Sequence, residues 1–351
     1  MEEHKIIGKA IENLFSKMLI LNTQNLNISE YNKSYIQKYF KSYSYYMSLY
    51  SQLFLKTFKK LTKPVSECTF VDYGGGCGML SYLAKEIGFK TVVYNDINRV
   101  SVHDTQIISG SLHIPIDYYI SGDAEEFIYK IKLLDIKPDL ICSFDVLEHI
   151  YNIESCITTL SKINSDFTLL FMTSANPENP FIACRLKKLH IRSEYKEVVN
   201  NIRKGDIYIN TSFLQERREI IGNKFPELDV REINFLASKS RGLRKDDIEK
   251  MVSDYIETGE IVYKINHPTN TCDPYTGSWT EKLIDIKQLK YFIKKINLNV
   301  ELSNSLYGYS TNKLLNIIKF IVNQLIKLSG PKCLFFSPTF TLEIINHSNK
   351  L

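Results

Sequence analysis

Thr69-Phe-Val-Asp-Tyr-Gly-Gly-Gly-Cys-Gly-Met-Leu-Ser81 is the stretch whose reading decides the fold. A short β-branched and aromatic run ends in Asp72, a turn carries Gly74, Gly75, Gly76 and Gly78, and a helical pattern opens at Met79. Glycines let a backbone turn sharply and approach a ligand that a Cβ would strike. At a strand-to-helix junction they also present N–H groups to whatever lies across the strand ends. The spacing is D-x-G-x-G-x-G, whereas a dinucleotide fingerprint, G-x-G-x-x-G, needs glycine where Met79 stands. The turn therefore suits a nucleoside ligand other than NAD.

Three more segments extend the pattern. Thr91-Val-Val-Tyr-Asn-Asp96 reads as a second strand, and an acid at its tip can accept from ribose hydroxyls. Ile116-Asp-Tyr-Tyr-Ile-Ser-Gly-Asp123-Ala124 reads as a third, placing a carboxylate where an exocyclic adenine amine could donate. Pro138-Asp-Leu-Ile-Cys-Ser-Phe-Asp145-Val-Leu-Glu148-His149 reads as an apolar fourth strand closed by a charged cluster. Alone, a glycine loop is a weak signal, Asp96 suits a helix N-cap and Asp123 suits a turn. Together, in order and at strand ends, they point to one nucleoside site.

Over residues 66 to 175 these segments resemble motifs I to IV of the class I S-adenosylmethionine (SAM) dependent methyltransferases, in the small-molecule branch with D-V-L-E-H after strand four. The resemblance implies that Asp72 and Gly74, Gly75, Gly76 and Gly78 hold the methionine moiety, with Asp72 facing its ammonium. By the same token Asp96 with Ile97 would bind the ribose, Asp123 with Ala124 the adenine, and Phe144 and Asp145 would border the sulfonium. The cofactor expected is SAM, in a transferase acting on a small molecule, preferentially a hydroxyl of a sugar, lipid or secondary metabolite. A SAM-binding module without catalysis and an NAD-dependent enzyme are the rival readings. Met79 and the Asp123 site disfavour the second.

His149 follows the strand-four tip and is a general base by side-chain type, with Glu148 beside it as the second catalytic candidate. A structural role for the pair stays open. So does a divalent-ion role for Asp145, Glu148 and His149, which share a helical face and would suit Mg²⁺ or Mn²⁺ modestly; no metal ligand is assigned.

The fold class expected is α/β: a doubly wound, mostly parallel, seven-stranded Rossmann-like sheet with an antiparallel last strand. Strands are expected from Thr69 and near 91–95, 116–120, 139–144 and 167–173, and 299–308 and 333–345 read as antiparallel final strands. Residues 1–65 read as an N-terminal helical lid, 66–180 as the SAM-binding core, 181–285 as an inserted substrate region, and 286–351 as the completion of the sheet. Tyr31, Tyr35, Tyr39, Tyr43 and Tyr46 recur every three or four residues, as one helical face that is either packing surface or pocket wall.

Over 180–245, 15 Lys and Arg stand against 8 Asp and Glu. This is either a solvated face or an attraction for an acidic small molecule. Aromatics are not interleaved with the basic residues as single-stranded nucleic acid platforms require, so nucleic acid is disfavoured. The polar loop from His267 through Asp273 and Tyr275 to Trp279 and Glu281 is a candidate substrate contact, or else a surface loop pinned by Trp279.

The chain has 351 residues, is 44% hydrophobic and carries a net charge of +5, ordinary for a globular protein and too little to announce nucleic acid. Seven cysteines, at 68, 77, 142, 156, 184, 272 and 333, show no C-x-x-C pair or zinc spacing. With no signal peptide visible at Met1, a reduced, cytoplasmic setting is expected. Leu314–Leu328 is strongly apolar but interrupted by Lys319, Asn323, Gln324 and Lys327, and it is too short to span a bilayer. It reads as a buried helix, with docking on a membrane surface as the second reading.

Overall fold

The computed structural model describes residues 2–163, 166–196, 201–203, 207–209, 211–308 and 312–347. Seven strands form one sheet: β1 (Thr69–Tyr73), β2 (Thr91–Asp96), β3 (Tyr118–Ser121), β4 (Leu140–Phe144), β5 (Asp166–Thr173), β8 (Asn299–Asn304) and β9 (Phe340–His347). Their spatial order is β3-β2-β1-β4-β5-β9-β8. The first five pair in parallel, β9 runs antiparallel to β5, and β8 runs antiparallel to β9. Only β9 is therefore reversed, and β8 points with the parallel set. The expectation that both late segments are antiparallel to the rest holds for one of them. The α/β class, the seven strands and the single reversed strand stand as expected.

Strand alternation sorts the core into two layers. Phe70, Val92, Tyr94, Leu140, Cys142, Leu170 and Met172 point to one face, and Val71, Tyr73, Val93, Ile141, Leu169, Phe171, Leu342 and Ile344 point to the other. The first face is covered by α4 (Met79–Ile87) and α5 (Arg99–Leu112), joined by α1 (Glu2–Ile20) and α3 (Tyr43–Phe58). The second is covered by α6 (Ala124–Leu133), α7 (Ile153–Leu160) and α12 (Ile286–Lys295). The N-terminal helices thus share the sheet's own core: Leu14, Leu53 and Phe54 sit with Phe70.

The tyrosine stripe does not lie on one helix. α2 (Glu30–Lys41) stops at Ser42 and α3 begins at Tyr43, which divides Tyr31, Tyr35 and Tyr39 from Tyr43 and Tyr46. The stripe is reassembled in space, with the Tyr39 and Tyr46 rings 4.3 Å apart. Asp104 of α5 anchors this corner. Its Oδ2 accepts from the Ser29 N–H and hydroxyl and from Asn32 Nδ2.

After β5, Asn179 caps α8 (Pro180–Tyr195), whose Pro180 occupies the first turn where a missing N–H costs nothing. A hairpin, β6 (Asn201–Arg203) with β7 (Ile207–Ile209), is followed by α9 (Phe213–Lys224), α10 (Val230–Lys239) and α11 (Lys245–Thr258). These last three helices hold a separate small core around Ile221, Leu236 and Val252. Fully buried Arg217 of α9 joins the parts. Its Nη2 donates to Glu194 Oε1 of α8 at 2.5 Å and its Nε to Ala237 O of α10 at 2.9 Å. Glu194 also accepts from Thr271 Oγ1 at 2.7 Å, which draws in the 267–281 loop.

The last helix, α13 (Lys313–Leu328), overturns the expectation of a buried helix. Leu314, Ile317, Ile318, Ile321, Leu325 and Leu328 all face solvent, and Asn323 and Ile326 face the protein. An apolar circumference fixes amphipathic packing only when the polar face has nothing to bond. Here the polar side finds partners in the protein. Among the described residues no helix is long and apolar enough to cross a membrane.

Candidate functional site

The four aspartates expected to surround the cofactor stand at the carboxyl edge of parallel strands. Asp72 lies in β1, Asp96 at the end of β2, Asp123 just past β3 and Asp145 just past β4. The glycine turn is bound to this edge. Gly74 and Gly75 N–H donate to Asn95 O at 2.8 and 2.9 Å, and Gly76 N–H donates to Asp96 Oδ2 at 2.9 Å. At Gly75 a Cβ would come within 2.5 Å of the Tyr94 ring and 2.7 Å of Asp72 Oδ2, so close approach excludes any other residue. Gly76 has φ +56° and open space where a Cβ would stand. A ligand can come down onto the loop there.

The carboxylates are already employed. Asp72 is 1% exposed, and its Oδ2 accepts from Ser81 N–H at 3.0 Å and Ser81 Oγ at 2.7 Å. It thereby ties the first turn of α4, whose Gly78 cap has no side chain to offer. Burial pushes its pKa up to about 7 against those two bonds, with Asp96 adding to the rise. Asp96 Oδ1 accepts from Asn98 N–H at 2.8 Å, so it organises both the glycine loop and the α5 entry, while Asn98 is the cap. Exposed Asp123 caps α6 through Oδ1, accepting from Glu125 and Glu126 N–H at 2.9 and 3.1 Å. Ala124 is buried at that cap and Ile97 is exposed beside Asp96.

The tyrosines form a roof. Tyr50 packs edge-on against Phe144, ring centroids 5.0 Å apart, and donates its hydroxyl to Tyr39 at 2.9 Å. Burial raises the pKa of Tyr31 and of Tyr39. Tyr35, then Asp96 and Cys77, add to the first, and Tyr50, then Cys77 and Asp145, to the second. No charge was predicted in this roof, yet Lys38 stands there, close enough to Tyr46 and Asp145 to be held protonated.

Beyond β4 the chain does something unusual. Asp145 has φ +53°, a left-handed conformation rare outside glycine. Its Oδ1 accepts from Ser174 N–H at 2.7 Å and its N–H donates to Met172 O at 2.9 Å, bonds to β5 and its end that hold the strain in place. Burial and the nearby Glu281 push its pKa up to about 6. A 3₁₀ turn, Leu147–His149, follows.

Glu148 in that turn is 0% exposed, and neither carboxylate oxygen has a hydrogen-bond partner of normal geometry among the described residues. Burial, then Asp145 and Glu281, holds its pKa well above the usual carboxylate range, with the Thr173 hydroxyl and Glu148's own N–H acting weakly the other way. Glu148 therefore holds its proton more tightly than an exposed glutamate does.

His149 is fixed by the 267–281 loop. The Trp279 carbonyl lies 2.7 Å from His149 Nδ1, which therefore carries the proton, and Trp279 N–H donates back to His149 O at 3.2 Å. The other ring nitrogen, Nε2, is turned to Glu281 Oε1 at 3.9 Å. Lys282 N–H donates to Glu148 O, and buried His190 of α8 lies 2.9 Å from Glu281 O. Glu281, also pushed up by burial, has Arg185 and Lys38 as its cationic neighbours. Glu148, His149 and Glu281 each offer one ligand atom within 4.8 Å of the others, a set a divalent ion could occupy.

The loop's own candidates divide. Trp279 is 7% exposed, stacked on Tyr151 with its Nε1 donating to Tyr151 O at 3.0 Å. Asp273 Oδ1 accepts from Tyr275 and Thr276 N–H, shaping the turn. His267 Nδ1 accepts from Thr269 N–H at 3.2 Å, and Tyr275 is exposed. What the loop delivers to the cluster is the Trp279 carbonyl and Glu281. Nothing in local sequence marks either, because a backbone carbonyl carries no residue signature and Glu281 lies far from His149 along the chain.

No family model and no curated protein matches the chain. Among solved structures, the plantazolicin methyltransferase BpumL, in complex with a triazolic desmethylPZN analog and SAH, is 11% identical over 96% of this chain and 98% of that one, with a TM-score of 0.41. A SAM dependent methyltransferase from Archaeoglobus fulgidus is 14% identical over 85% and 92%, TM-score 0.36. One from Mesorhizobium loti is 10% identical over 84% and 97%, TM-score 0.37.

Proposed function

We propose that this protein is a SAM-dependent methyltransferase acting on a small-molecule acceptor. The observation that carries the proposal is the glycine loop at the carboxyl edge of a β3-β2-β1-β4-β5-β9-β8 sheet, gripped by Asp96 and open above Gly76. That is the arrangement the four motifs imply. When bound, SAM supplies a methyl group on a sulfonium that leaves readily, so the protein's task is to position the acceptor and exclude water.

The glycine loop would hold the methionine moiety and the strand-two acid the ribose, with Asp123 and Ala124 at the base and Phe144 and Asp145 along the reacting side. Tyr31, Tyr39 and Tyr50 roof that site against water. On the acceptor side, Nε2 of His149 takes a proton from an acceptor hydroxyl. The Trp279 carbonyl fixes the tautomer that makes Nε2 the basic nitrogen. Glu281 stabilises the imidazolium so formed. Arg185 and Lys38 favour an acceptor that is anionic or becomes so.

A second reading has its own observation. The unpartnered Glu148 carboxylate, the oriented His149 and Glu281 fit a hard divalent cation, which would lower the pKa of an acceptor hydroxyl directly. Calorimetry with SAM and with NAD tests the main proposal. Binding of SAM in the micromolar range and none of NAD is expected, and the absence of SAM binding refutes it. Turnover after chelation, then with Mg²⁺ or Mn²⁺ restored, separates the two readings: activity that survives chelation belongs to the base.

A further inference from the structure

Helix α13 is held to the protein by its polar side. Asn323 Oδ1 accepts from Tyr307 N–H at 2.8 Å, and its Nδ2 donates to Tyr307 O at 2.9 Å. Lys319 Nζ donates to Gly308 O at 2.8 Å. A helix whose lysine and asparagine point inward must turn its apolar side outward. Leu314, Ile317, Ile318, Ile321, Leu325 and Leu328 recur at three- and four-residue steps and so form one continuous stripe. Its two ends are 76% and 84% exposed, and it runs about 21 Å along the helix. So large an apolar strip in water is costly and marks a surface that is covered in use.

The charges indicate what covers it. Between Leu302 and Leu342 the chain has four lysines, Lys313, Lys319, Lys327 and Lys332, and no acid. Lys313 and Lys327 stand exposed at the two ends of the helix, and Lys332 stands exposed just past it. A second copy of the same surface would set lysine against lysine with no carboxylate in the segment to pair. A surface that is apolar beneath and negative at its rim suits both features. We propose that α13 docks the protein on the interface of an anionic membrane, the stripe entering the boundary between headgroups and acyl chains and the lysines staying among the lipid phosphates. The helix lies in the plane of the interface and does not cross. Tyr307, which anchors it, is also within reach of Asn179 at the start of α8, at 3.3 Å, so the docked face adjoins the segment that leads to Arg185.

Flotation of the whole chain with vesicles of phosphatidylcholine, alone or in equal mixture with phosphatidylglycerol, tests this. The protein is expected to float with the mixed vesicles and not with phosphatidylcholine alone, and to release as salt rises. The variant Ile317→Ser/Ile321→Ser/Leu325→Ser removes exposed side chains only, so its melting temperature should hold while vesicle binding falls at least about tenfold. Lys313→Glu/Lys327→Glu should lower binding to mixed vesicles by about fivefold or more per lysine. Absence of flotation, or flotation undiminished in both variants, overturns the proposal. So does a wild-type dimer that the serine variant converts to monomer without vesicle binding, since the stripe would then be a self-interface.

Discussion

Replacing Glu148 by methionine should make the protein more stable, and should abolish turnover only if Glu148, His149 and Glu281 hold a divalent ion. The side chain is fully buried, and both its oxygens lack a partner among the described residues. A buried polar group left unsatisfied costs about 1–3 kcal/mol. Methionine has a similar length and no such group, and fitting its slightly larger sulfur end costs up to about 1 kcal/mol. Before any contribution from ionisation, the net expectation is a gain of about 1–2 kcal/mol.

The gain should depend on pH, and its sign follows from proton linkage. Glu148's pKa in the folded state lies well above its unfolded value. Between those two values the folded chain holds a proton that the unfolded chain has released, so wild-type stability falls as pH rises, by up to about 1.4 kcal/mol per pH unit. Below the unfolded value, about 4.3, no such penalty remains. The variant lacks this group, so its advantage should be smallest below the unfolded value and widen as pH rises above it. Urea unfolding of chelator-treated protein at several pH values measures it. A variant less stable than wild type, or an advantage that stays constant with pH, would show that burial does not hold the proton on Glu148.

Other changes test the remaining parts. Gly75→Ala drives a Cβ into Tyr94 and Asp72, and should weaken SAM binding at least about tenfold by calorimetry while costing about 1–3 kcal/mol of stability. Arg217→Ala leaves buried Glu194 with only the Arg241 guanidinium, 3.9 Å away, and should cost about 3–5 kcal/mol, with limited proteolysis cutting first within α8 to α11; replacing Arg217 and Glu194 by methionine should recover most of that loss. His149→Ala should reduce turnover by about 100-fold or more with SAM affinity unchanged, and unchanged turnover would remove the base assignment.

The strands and the glycine loop could be read from the chain because both are local signals. Asp72, Asp96 and Asp145 announce strand tips by following short β-branched runs, and the glycines need no distant partner to be recognised. Other features depend on distance. Glu281 reaches His149 across more than a hundred residues, through the Trp279 backbone bonded to His149. The tyrosine stripe kept its periodicity across Ser42, where the backbone turns and the period no longer describes one helix. For α13 the sequence marks an apolar face but not its direction, which hydrogen bonds from Asn323 and Lys319 decide. β8 and β9 were located only approximately, since the direction of a late strand depends on the path of the connection that delivers it.

The reversed strand has a consequence for biosynthesis. β9 fills an inner place between β5 and β8, although it follows both of them in the chain. While the ribosome still holds that segment in its exit tunnel, β5 remains a bare hydrogen-bonding rim and β8 has no neighbour at all. Such rims recruit other polypeptides. The nascent protein should consequently lean on chaperones until β9 has emerged, and a nonsense codon ahead of Phe340 should yield aggregate.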